Sequence, residues 1–298
     1  MSNMANLRKQ SRDPEGRNRS AVLKIGSKRT LVMIYAVLII SAVVFIGPLL
    51  WLVSGSLKSN AELIANPWGL PTAPTLSNYV KAWTAAGMST YFKNSIVTSL
   101  VCVVLTLVCS CPIAYMLARQ NFRFKRTFFY YIIAGMMIPM HCVAIPVYLN
   151  TLDWGLQNNL FVLGIINAAF RIPFSVFVLE GLMSGIPREL EECASIDGCS
   201  MWGSFLKIIL PLSRDGMITV GILALTSSWN ELLISTLLLN DPAKKTLAIG
   251  LRGFVSEFTT EYTQLFAALF IGCLPGLIAY AVAQKQMIKG VTMGAVKG

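Results

Sequence analysis

Six long apolar stretches constrain the fold of this chain more than any other feature of its sequence. A helix needs roughly 20 apolar residues to cross a hydrocarbon core of about 30 Å. Within lipid, the backbone satisfies its hydrogen bonds only in helices or closed barrels. The stretches therefore predict an all-α polytopic membrane protein with six transmembrane helices. We place the spans near Leu31–Val53, Phe92–Ala118, Phe128–Leu149, Leu160–Leu182, Gly216–Leu239 and Thr263–Ala283.

The distribution of charge along the chain agrees with this prediction. Only 13% of the residues are charged, against roughly a quarter in soluble domains. The net charge is +11, and 18 of the 25 Lys and Arg residues lie in residues 1–30, the segment near 119–126, the loop near 183–214 and the C-terminal tail. Because basic loops tend to stay in the cytoplasm, we expect both termini and the loop near 183–214 to be cytoplasmic. This placement favours membrane lipid, and not nucleic acid, as the partner of the basic residues.

The chain is expected to have two parts, a basic cytoplasmic tail over residues 1–30 and a six-span transmembrane domain over residues 31–298. The segment between the first two spans, Ser54–Tyr91, contains three prolines and is predicted to be loop-like and external. The third span contains Pro139 and Pro146. Interrupted helices are tolerated in membranes where they face protein or a water-filled cavity.

The loop between the fourth and fifth spans, about residues 183–214, is acidic, and we refer to it as the polar loop. Pro187 suits the first position of a helix. Glu189, Glu191 and Glu192 follow in its opening turns, near the positive end of the helix dipole. Gly198 adopts a positive φ at no steric cost and is expected to end this helix.

A second short helix is expected after Gly198. Ser200 is a suitable N-cap, and Pro211 disfavours a helical conformation at Leu210, so we expect the helix to end there. Two short helices hinged at a glycine would serve either as a docking surface for a soluble partner or as an amphipathic segment on the lipid surface. The second helix has one apolar stripe, formed by Trp202, Phe205, Leu206 and Ile209.

A sequence pattern favours the docking surface. Glu192-Cys193-Ala194, then Asp197-Gly198, then Ile209-x-Pro211 resembles the EAA loop of bacterial ABC importer permeases. Cys193 replaces the usual middle alanine, and Asp215 replaces a proline that often follows the motif. The resemblance implies that the loop contacts a cytoplasmic ATPase and couples its motion to the membrane spans. The residues given this role are Glu189, Glu192, Cys193, Ala194, Asp197, Gly198 and Pro211.

Further motifs narrow the resemblance to carbohydrate importer permeases of the maltose type, second permease. It implies type I ABC importer permease architecture in the bacterial inner membrane. It also implies a second, different permease in a heterodimer, two cytoplasmic ATPases that bind ATP and Mg²⁺, and an external sugar-binding protein, with no cofactor on this chain. The motifs are Pro74-Thr75-Leu76-x-Asn78-Tyr79, Asn94-Ser95, Ile138-Pro139, Pro146-x-Tyr148, Trp229-Asn230-Glu231 and the ending from Gly290 to Gly298.

The polar residues of the fifth span are the predicted substrate path. Polar groups in hydrocarbon are costly and usually face a cavity or a partner. Aromatic rings beside them would offer faces for sugar stacking. The alternative role is helix–helix contact with the second permease. The residues assigned to the path are Tyr148, Trp229, Asn230 and Glu231, with Thr226, Ser227 and Ser228 beside the last three.

The sequence gives no indication of catalytic chemistry. It lacks the G-x-x-x-x-G-K-[ST] loop that holds ATP phosphates, and its single histidine, His141, lies in an apolar span. None of the seven cysteines forms C-x-x-C, so we expect neither a metal site nor disulfides. We expect a transport subunit and not an enzyme.

Two other functions stay open on the sequence alone. One is an ABC permease for a non-sugar solute, since EAA-like loops serve many substrates. The other is an ion-driven secondary transporter, which would need intramembrane acids and an inverted repeat. The spans offer Glu231 and Glu180, and no repeat is evident. Transport without any ATPase would favour this second alternative.

Overall fold

The computed structural model of the chain describes residues 28–84, 87–254 and 261–295. Residues 1–27 of the predicted basic tail and residues 296–298 of the C-terminal motif lie outside the described residues. The regular structure of the described part is entirely helical, and the chain divides after Trp51 into two units. The helices are α1 (Lys28–Ser56), α2 (Asn60–Ala65), α3 (Ser77–Thr84), α4 (Met88–Arg119), α5 (Lys125–Ala134), α6 (Met140–Asp153), α7 (Leu160–Ser184), α8 (Glu189–Ile196), α9 (Met201–Ser204), α10 (Leu210–Leu212), α11 (Arg214–Trp229), α12 (Leu233–Leu238), α13 (Leu247–Arg252) and α14 (Tyr262–Ala295).

The candidate spans are compatible with the predicted number. Among the described residues, α1, α4, α7 and α14 are long and apolar enough to cross a membrane, and the number rises to six if each of two bent helix pairs, Lys125–Met137 with Met140–Asp153 and Met201–Leu212 with Arg214–Trp229, forms one span. α1 has 29 residues, which corresponds to about 43 Å of helix. Its large apolar side chains, such as Val32 and Phe45, are exposed, as suits a surface in contact with lipid.

The second unit is centred on α4, which packs against α7 and α11. A Cβ added to Gly164 on α7 would lie 2.6 Å from the side chain of Val101 on α4, so the helices approach each other closely there. Small residues permit such close packing in membranes. The buried residues of α4 include Ser95, Thr98, Ser99, Cys102, Thr106 and Ser110, which are all small or hydroxyl-bearing.

The third predicted span is sharply bent. α5 and a short 3₁₀ turn, Gly135–Met137, form one arm and α6 forms the other, at 91°. Ile138, between the arms, is extended with φ −82° and ψ 108°. The reason is steric, because the ring of Pro139 disfavours a helical conformation at the residue before it.

The fifth predicted span, Gly216–Leu239, is not one continuous helix, so this prediction is wrong. α11 ends at Trp229 and α12 begins only at Leu233. The carboxylate of Glu231 accepts hydrogen bonds from the backbone N–H of Ile234 at 2.7 Å and of Ser235 at 2.8 Å. Glu231 therefore satisfies the free amides at the start of α12, and a new helix begins where the hydropathy alone predicts a continuous one.

The segment after the first span is folded, which corrects the prediction of a loop over residues 54–91. It contains α2 and α3, and Asn78 of α3 holds the segment together. The Asn78 side-chain amide donates to the carbonyl oxygens of Ser56 and Lys58, both at 2.8 Å. Its oxygen accepts from the hydroxyl of Thr263 on α14 at 3.3 Å. One buried side chain thus ties three segments, a role that a local sequence pattern does not reveal.

Candidate functional site

The first helix of the polar loop, α8, begins with the predicted acidic turn. Its first turn contains Glu189, Glu191 and Glu192. Carboxylates at this position stabilise the helix through its dipole, each by about 0.3–1 kcal/mol when exposed. α8 therefore has a favourable local reason to fold and presents negative charge at its start.

Gly198 ends α8 as predicted. It has φ +80°, and the N–H of Cys199 donates to the carbonyl of Ala194 at 2.8 Å. The N–H of Gly198 donates to the carbonyl of Ser195 at 3.0 Å. These two bonds form a Schellman motif, in which a left-handed residue satisfies the last carbonyls of a helix. The glycine hinge is confirmed.

The second helix of the polar loop does not end at Pro211. The hydroxyl of Ser200 accepts from the N–H of Gly203 at 3.1 Å and caps α9, as predicted. A π-helical turn over Phe205–Ile209 follows, and Leu210 is fully helical with φ −61° and ψ −48°. The π turn moves Pro211 to the start of α10, where a missing N–H is not needed. The chain bends by 75° only at the junction with α11.

The predicted apolar stripe is divided between the core and the surface. Phe205 and Ile209 are buried against Tyr115 of α4 and against α7. The rings of Tyr115 and Phe205 have centroids 4.9 Å apart. Trp202 and Leu206 are exposed. Half of the stripe therefore anchors α9 and the π turn, and the other half remains available on the outside.

A buried ion pair joins the polar loop to the end of α4. Arg119 Nε lies 2.6 Å from Glu191 Oε2, and the two side chains are 5% and 16% exposed. The Nε–H does not point at that oxygen, so the contact is an ion pair and not a straight hydrogen bond. Arg119 Nη2 also donates to the carbonyl of Ile186 at 2.8 Å.

Tyr115 completes this connection. Its hydroxyl donates to Glu191 Oε1 at 2.8 Å and lies 3.3 Å from the carbonyl of Met201 at the start of α9. Tyr115 and Arg119 are four residues apart on α4 and therefore face the same side. We call the three side chains Tyr115, Arg119 and Glu191 the anchor. From the sequence alone, Arg119 was interpreted as one of the basic residues of a loop and Glu191 as an acidic residue in the first turn of a helix. The sequence around neither residue indicates a partner so far away in the chain.

The remaining predicted coupling residues lie on the outside of the polar loop. Ala194 is half-buried, and the others are exposed, so the anchor leaves them free for a partner. Exposed apolar side chains lie among them, including Ile196, which is 85% exposed. The exposed residues, which we call the outer face, are Glu189, Leu190, Glu192, Cys193, Ile196, Asp197, Gly198, Trp202 and Pro211.

The predicted substrate-path residues have different roles in the structure. Trp229 is 7% exposed and donates its indole N–H to the carbonyl of Gly272 at 3.0 Å. It also packs edge-on against Phe92, so the indole serves packing in this structure. Glu231 is a helix cap, Tyr148 is half-buried on α6, and Asn230 is exposed.

The chain thus combines several candidate membrane spans with a polar loop whose acidic helix α8 is fixed to α4. The model of the family described as binding-protein-dependent transport system inner membrane component matches residues 110–289, which include the polar loop. The chain belongs to this family. It is a multi-pass membrane permease subunit of a binding-protein-dependent ABC importer, and its family is a transport component and not an enzyme.

Individual relatives cover most of the chain. A putative ABC transporter permease from Caldicellulosiruptor sp. (strain Rt8B.4) is 38% identical over 252 residues, which are 84% of this chain and 91% of the relative. A diacetylchitobiose uptake system permease from Streptomyces coelicolor (strain ATCC BAA-471 / A3(2) / M145) is 32% identical, over 91% of this chain and 90% of the relative.

A solved structure has the same fold. It is the crystal structure of a bacterial ABC transporter involved in the import of the acidic polysaccharide alginate, with a TM-score of 0.77 and 25% identity. The match covers 88% of this chain and 99% of that chain. The relatives and this structure confirm the predicted resemblance to ABC importer permeases and the all-α fold.

Proposed function

We propose that this chain translocates a sugar, in a heterodimer with a second permease, and that two cytoplasmic ATPases drive it. An external binding protein would deliver the sugar, and the ATPases would hold ATP and Mg²⁺. The observation that carries the proposal is the construction of the polar loop. One side of the loop is fixed to α4 by the anchor, and the other presents exposed acidic and apolar side chains.

The outer face supports docking to a soluble protein. Exposed carboxylates of Glu189 and Glu192 lie beside large exposed apolar side chains, of which Ile196 is the most exposed. A cleft with basic residues at its rim and an apolar floor is complementary to such a face, because opposite charges select the partner and apolar burial contributes most of the affinity. The ATPase is the partner proposed for this face.

The anchor supports transmission of force. A partner that moves α8 pulls on Glu191, and Glu191 is held by two side chains from the last turns of α4. Because α4 packs along α7 and α11, a displacement of its end reaches the helices at the centre of the bundle. ATP-driven closure of the ATPases would in this way reorient the spans.

The proposal that the substrate is a sugar is based on the relatives of this chain. The relative from Streptomyces is named for diacetylchitobiose uptake and the structural neighbour for alginate import, so both handle carbohydrate. Within this chain, Asn230 and Thr226 are exposed polar residues near the break between α11 and α12. They and Tyr148 are the residues proposed to contact the sugar, and Trp229 is proposed to support them.

The proposed orientation places both termini and the polar loop in the cytoplasm. Arg119 belongs to the anchor, and Arg123, Lys125 and Arg126 follow it directly, so the basic segment and the polar loop share one side. Reporter fusions at the C-terminus and near Gly198 are expected to be cytoplasmic, and one near Pro242 external. A cytoplasmic reporter near Pro242 would contradict the topology.

The decisive experiment reconstitutes the importer with Glu192→Lys in this chain. Charge reversal on the outer face is expected to lower ATPase co-purification and binding-protein-stimulated ATP hydrolysis roughly tenfold or more, since like charges across an interface cost several kcal/mol. Asp153→Lys is the matched control, because Asp153 is exposed at the end of α6, beyond the opposite end of α7.

Two outcomes would contradict the proposal. Equal effects of both reversals, or none, would mean that the outer face does not dock an ATPase. Saturable uphill uptake by the purified chain without any ATPase would contradict ATP drive altogether. Membrane abundance of each variant is measured in parallel, so that a failure of insertion is separated from a failure of docking.

A further inference from the structure

A cavity of about 200 Å³ is lined by residues of α4, α5 and α7, none of which belongs to the outer face of the polar loop. It is larger than the engineered cavity of about 150 Å³ that accommodates benzene, so it has room for a small polar group. The cavity includes Leu117, which lies between Tyr115 and Arg119 of the anchor on α4. Its lining residues are Leu117, Lys125, Arg126, Phe129, Tyr130 and Glu180.

Charges of both signs line this cavity. Lys125 is half-buried and Arg126 is exposed on α5, and Glu180 is half-buried on α7. Glu180 accepts a hydrogen bond from the hydroxyl of Ser184 at 2.8 Å. In the part of the chain that the structure describes, the one ion pair between side chains is Arg119–Glu191, so neither cation neutralises Glu180 directly.

Charged side chains that have no ion-pair partner at the edge of a membrane indicate that the cavity binds a ligand. Ionisable groups near hydrocarbon are costly and pair with one another or with a ligand. Two cations and one carboxylate that share a cavity without pairing suit a ligand that has both a negative and a positive group. A purely anionic ligand would place its charge beside Glu180.

The surrounding side chains place the cavity at the level of lipid headgroups. The aromatic residues that follow Arg126 are exposed, with Tyr130 at 66% and Tyr131 at 78%. Aromatic side chains of this kind concentrate at the membrane–water interface. Basic pockets between transmembrane helices bind the headgroups of anionic lipids, and the carboxylate of Glu180 distinguishes this cavity from a purely basic pocket.

We propose that this cavity binds the headgroup of a phosphatidylethanolamine lipid. Lys125 and Arg126 bind the phosphate, and Glu180 accepts hydrogen bonds from the ammonium group. The ring of Tyr130 or Phe129 adds a cation–π contact to the ammonium. Leu117, which is 1% exposed within the protein, contributes an apolar side chain to the lining. The lipid would hold α5 against α4 and α7, next to the anchor.

The test measures lipid retention by the importer complex with native mass spectrometry. The complex is delipidated and titrated with short-chain phosphatidylethanolamine, phosphatidylglycerol or phosphatidylcholine. Wild type is expected to retain phosphatidylethanolamine roughly fivefold better than phosphatidylglycerol, because one interfacial charge pair contributes about 1 kcal/mol. Phosphatidylcholine, whose ammonium has no N–H to donate, is expected to bind more weakly than phosphatidylethanolamine.

Substitutions of the lining residues test which side chains produce the preference for phosphatidylethanolamine. Glu180→Gln is expected to reduce the ratio of phosphatidylethanolamine to phosphatidylglycerol by most of its roughly fivefold value, because the carboxylate is the charged partner of the ammonium group. Lys125→Gln with Arg126→Gln is expected to lower retention of both lipids. Lys244→Gln is the matched control, since Lys244 is an exposed cation in the short helical turn after α12, and it should leave retention unchanged.

Three results would overturn the proposal. They are equal retention of the two lipids by wild type, an unchanged preference in Glu180→Gln, and loss of retention in the control as large as in the double variant. Retention of phosphatidylglycerol above phosphatidylethanolamine would assign the cavity to anionic lipid instead. The measurement uses neither ATP nor sugar, so its outcome is independent of the transport function proposed above.

Discussion

The anchor and the break in the fifth predicted span both depend on a glutamate, but the two carboxylates have different partners. Glu191 contacts Arg119 and Tyr115 on α4, a separate helix far away in the chain. Glu231 accepts hydrogen bonds from Ile234 and Ser235, three and four residues further along. The first joins two parts of the molecule, whereas the second starts a local helix. The partner of a carboxylate, and not its presence at the membrane, determines what its loss would disturb.

The largest expected effect comes from breaking the anchor. Arg119→Leu leaves the largely buried Glu191 carboxylate without its cation, and removal of one partner of a buried ion pair costs about 3–5 kcal/mol. Because Glu191 is 16% exposed, we expect the lower end of this range. Thermal unfolding of the importer and binding-protein-stimulated ATP hydrolysis are the measurements, and both should fall.

A double variant separates stability from coupling at the anchor. Arg119→Leu combined with Glu191→Leu removes the unpaired charge, so most of the lost stability is expected to return. Stimulation of ATP hydrolysis is expected to stay low, since the connection between α8 and α4 is still absent. Full recovery of stimulation in the double variant would show that the anchor only stabilises the polar loop.

A substitution at Gly198 tests whether the backbone conformation between α8 and α9 matters for transport. Gly198→Leu puts a side chain at φ +80°, at a cost of about 1–2 kcal/mol. An added Cβ meets no atom within 4 Å, so the expected cost comes from the backbone conformation and not from a clash of the Cβ. Uptake is expected to fall while membrane abundance is retained. Gly198→Asn is the matched control, because asparagine tolerates a left-handed conformation, and an equal loss in both variants would argue against backbone strain as the cause.

Glu231 should behave differently from Glu191. Glu231→Ala removes a cap of α12 and is expected to cost about 0.5–2 kcal/mol, measured as a lower unfolding temperature. Co-purification of the ATPase should be unchanged, because α12 does not belong to the polar loop. Glu231→Gln keeps one acceptor and should lose less. A loss of ATPase binding in either variant would remove the distinction between the two glutamates.

The smallest effect concerns Glu62, an exposed carboxylate in the segment after α1. Hydrogen bonds from the backbone N–H and the hydroxyl of Thr72, followed by the charge of Lys58, lower the pKa of Glu62 below its usual 4.5. A carboxyl group with a lowered pKa stabilises the fold above its ordinary pKa, and this contribution disappears as the pH falls through the lower value. Wild type should therefore unfold at a slightly higher temperature than Glu62→Gln at neutral pH.

The pH dependence of the difference in unfolding temperature between wild type and Glu62→Gln tests this explanation. The two unfolding temperatures are expected to converge as the medium is acidified through the lowered pKa of Glu62. A difference that persists in acid would mean that the substitution acts through something other than the charge.

Features that depend on neighbouring residues could be predicted from the sequence. Hydropathy predicted four of the spans as continuous helices, since every stretch of backbone in lipid must satisfy its own hydrogen bonds, but it did not predict the bend in the third span or the break in the fifth. The acidic turn of α8, the end of that helix at Gly198 and the cap at Ser200 were also predictable, because each depends on residues within one or two helical turns. The motif over Glu192–Pro211 gave the family for the same reason.

Features that depend on distant residues required the tertiary structure. The burial of Trp229 depends on Phe92 and on the carbonyl of Gly272, and the folded segment after α1 depends on Asn78. The π turn before Pro211 accompanies burial of Phe205 and Ile209 against α4 and α7. The local sequence pattern thus determined which segments become helices. Tertiary packing determined which polar side chains contact each other, because an ion pair such as Arg119–Glu191 forms only after the fold has brought two remote segments together.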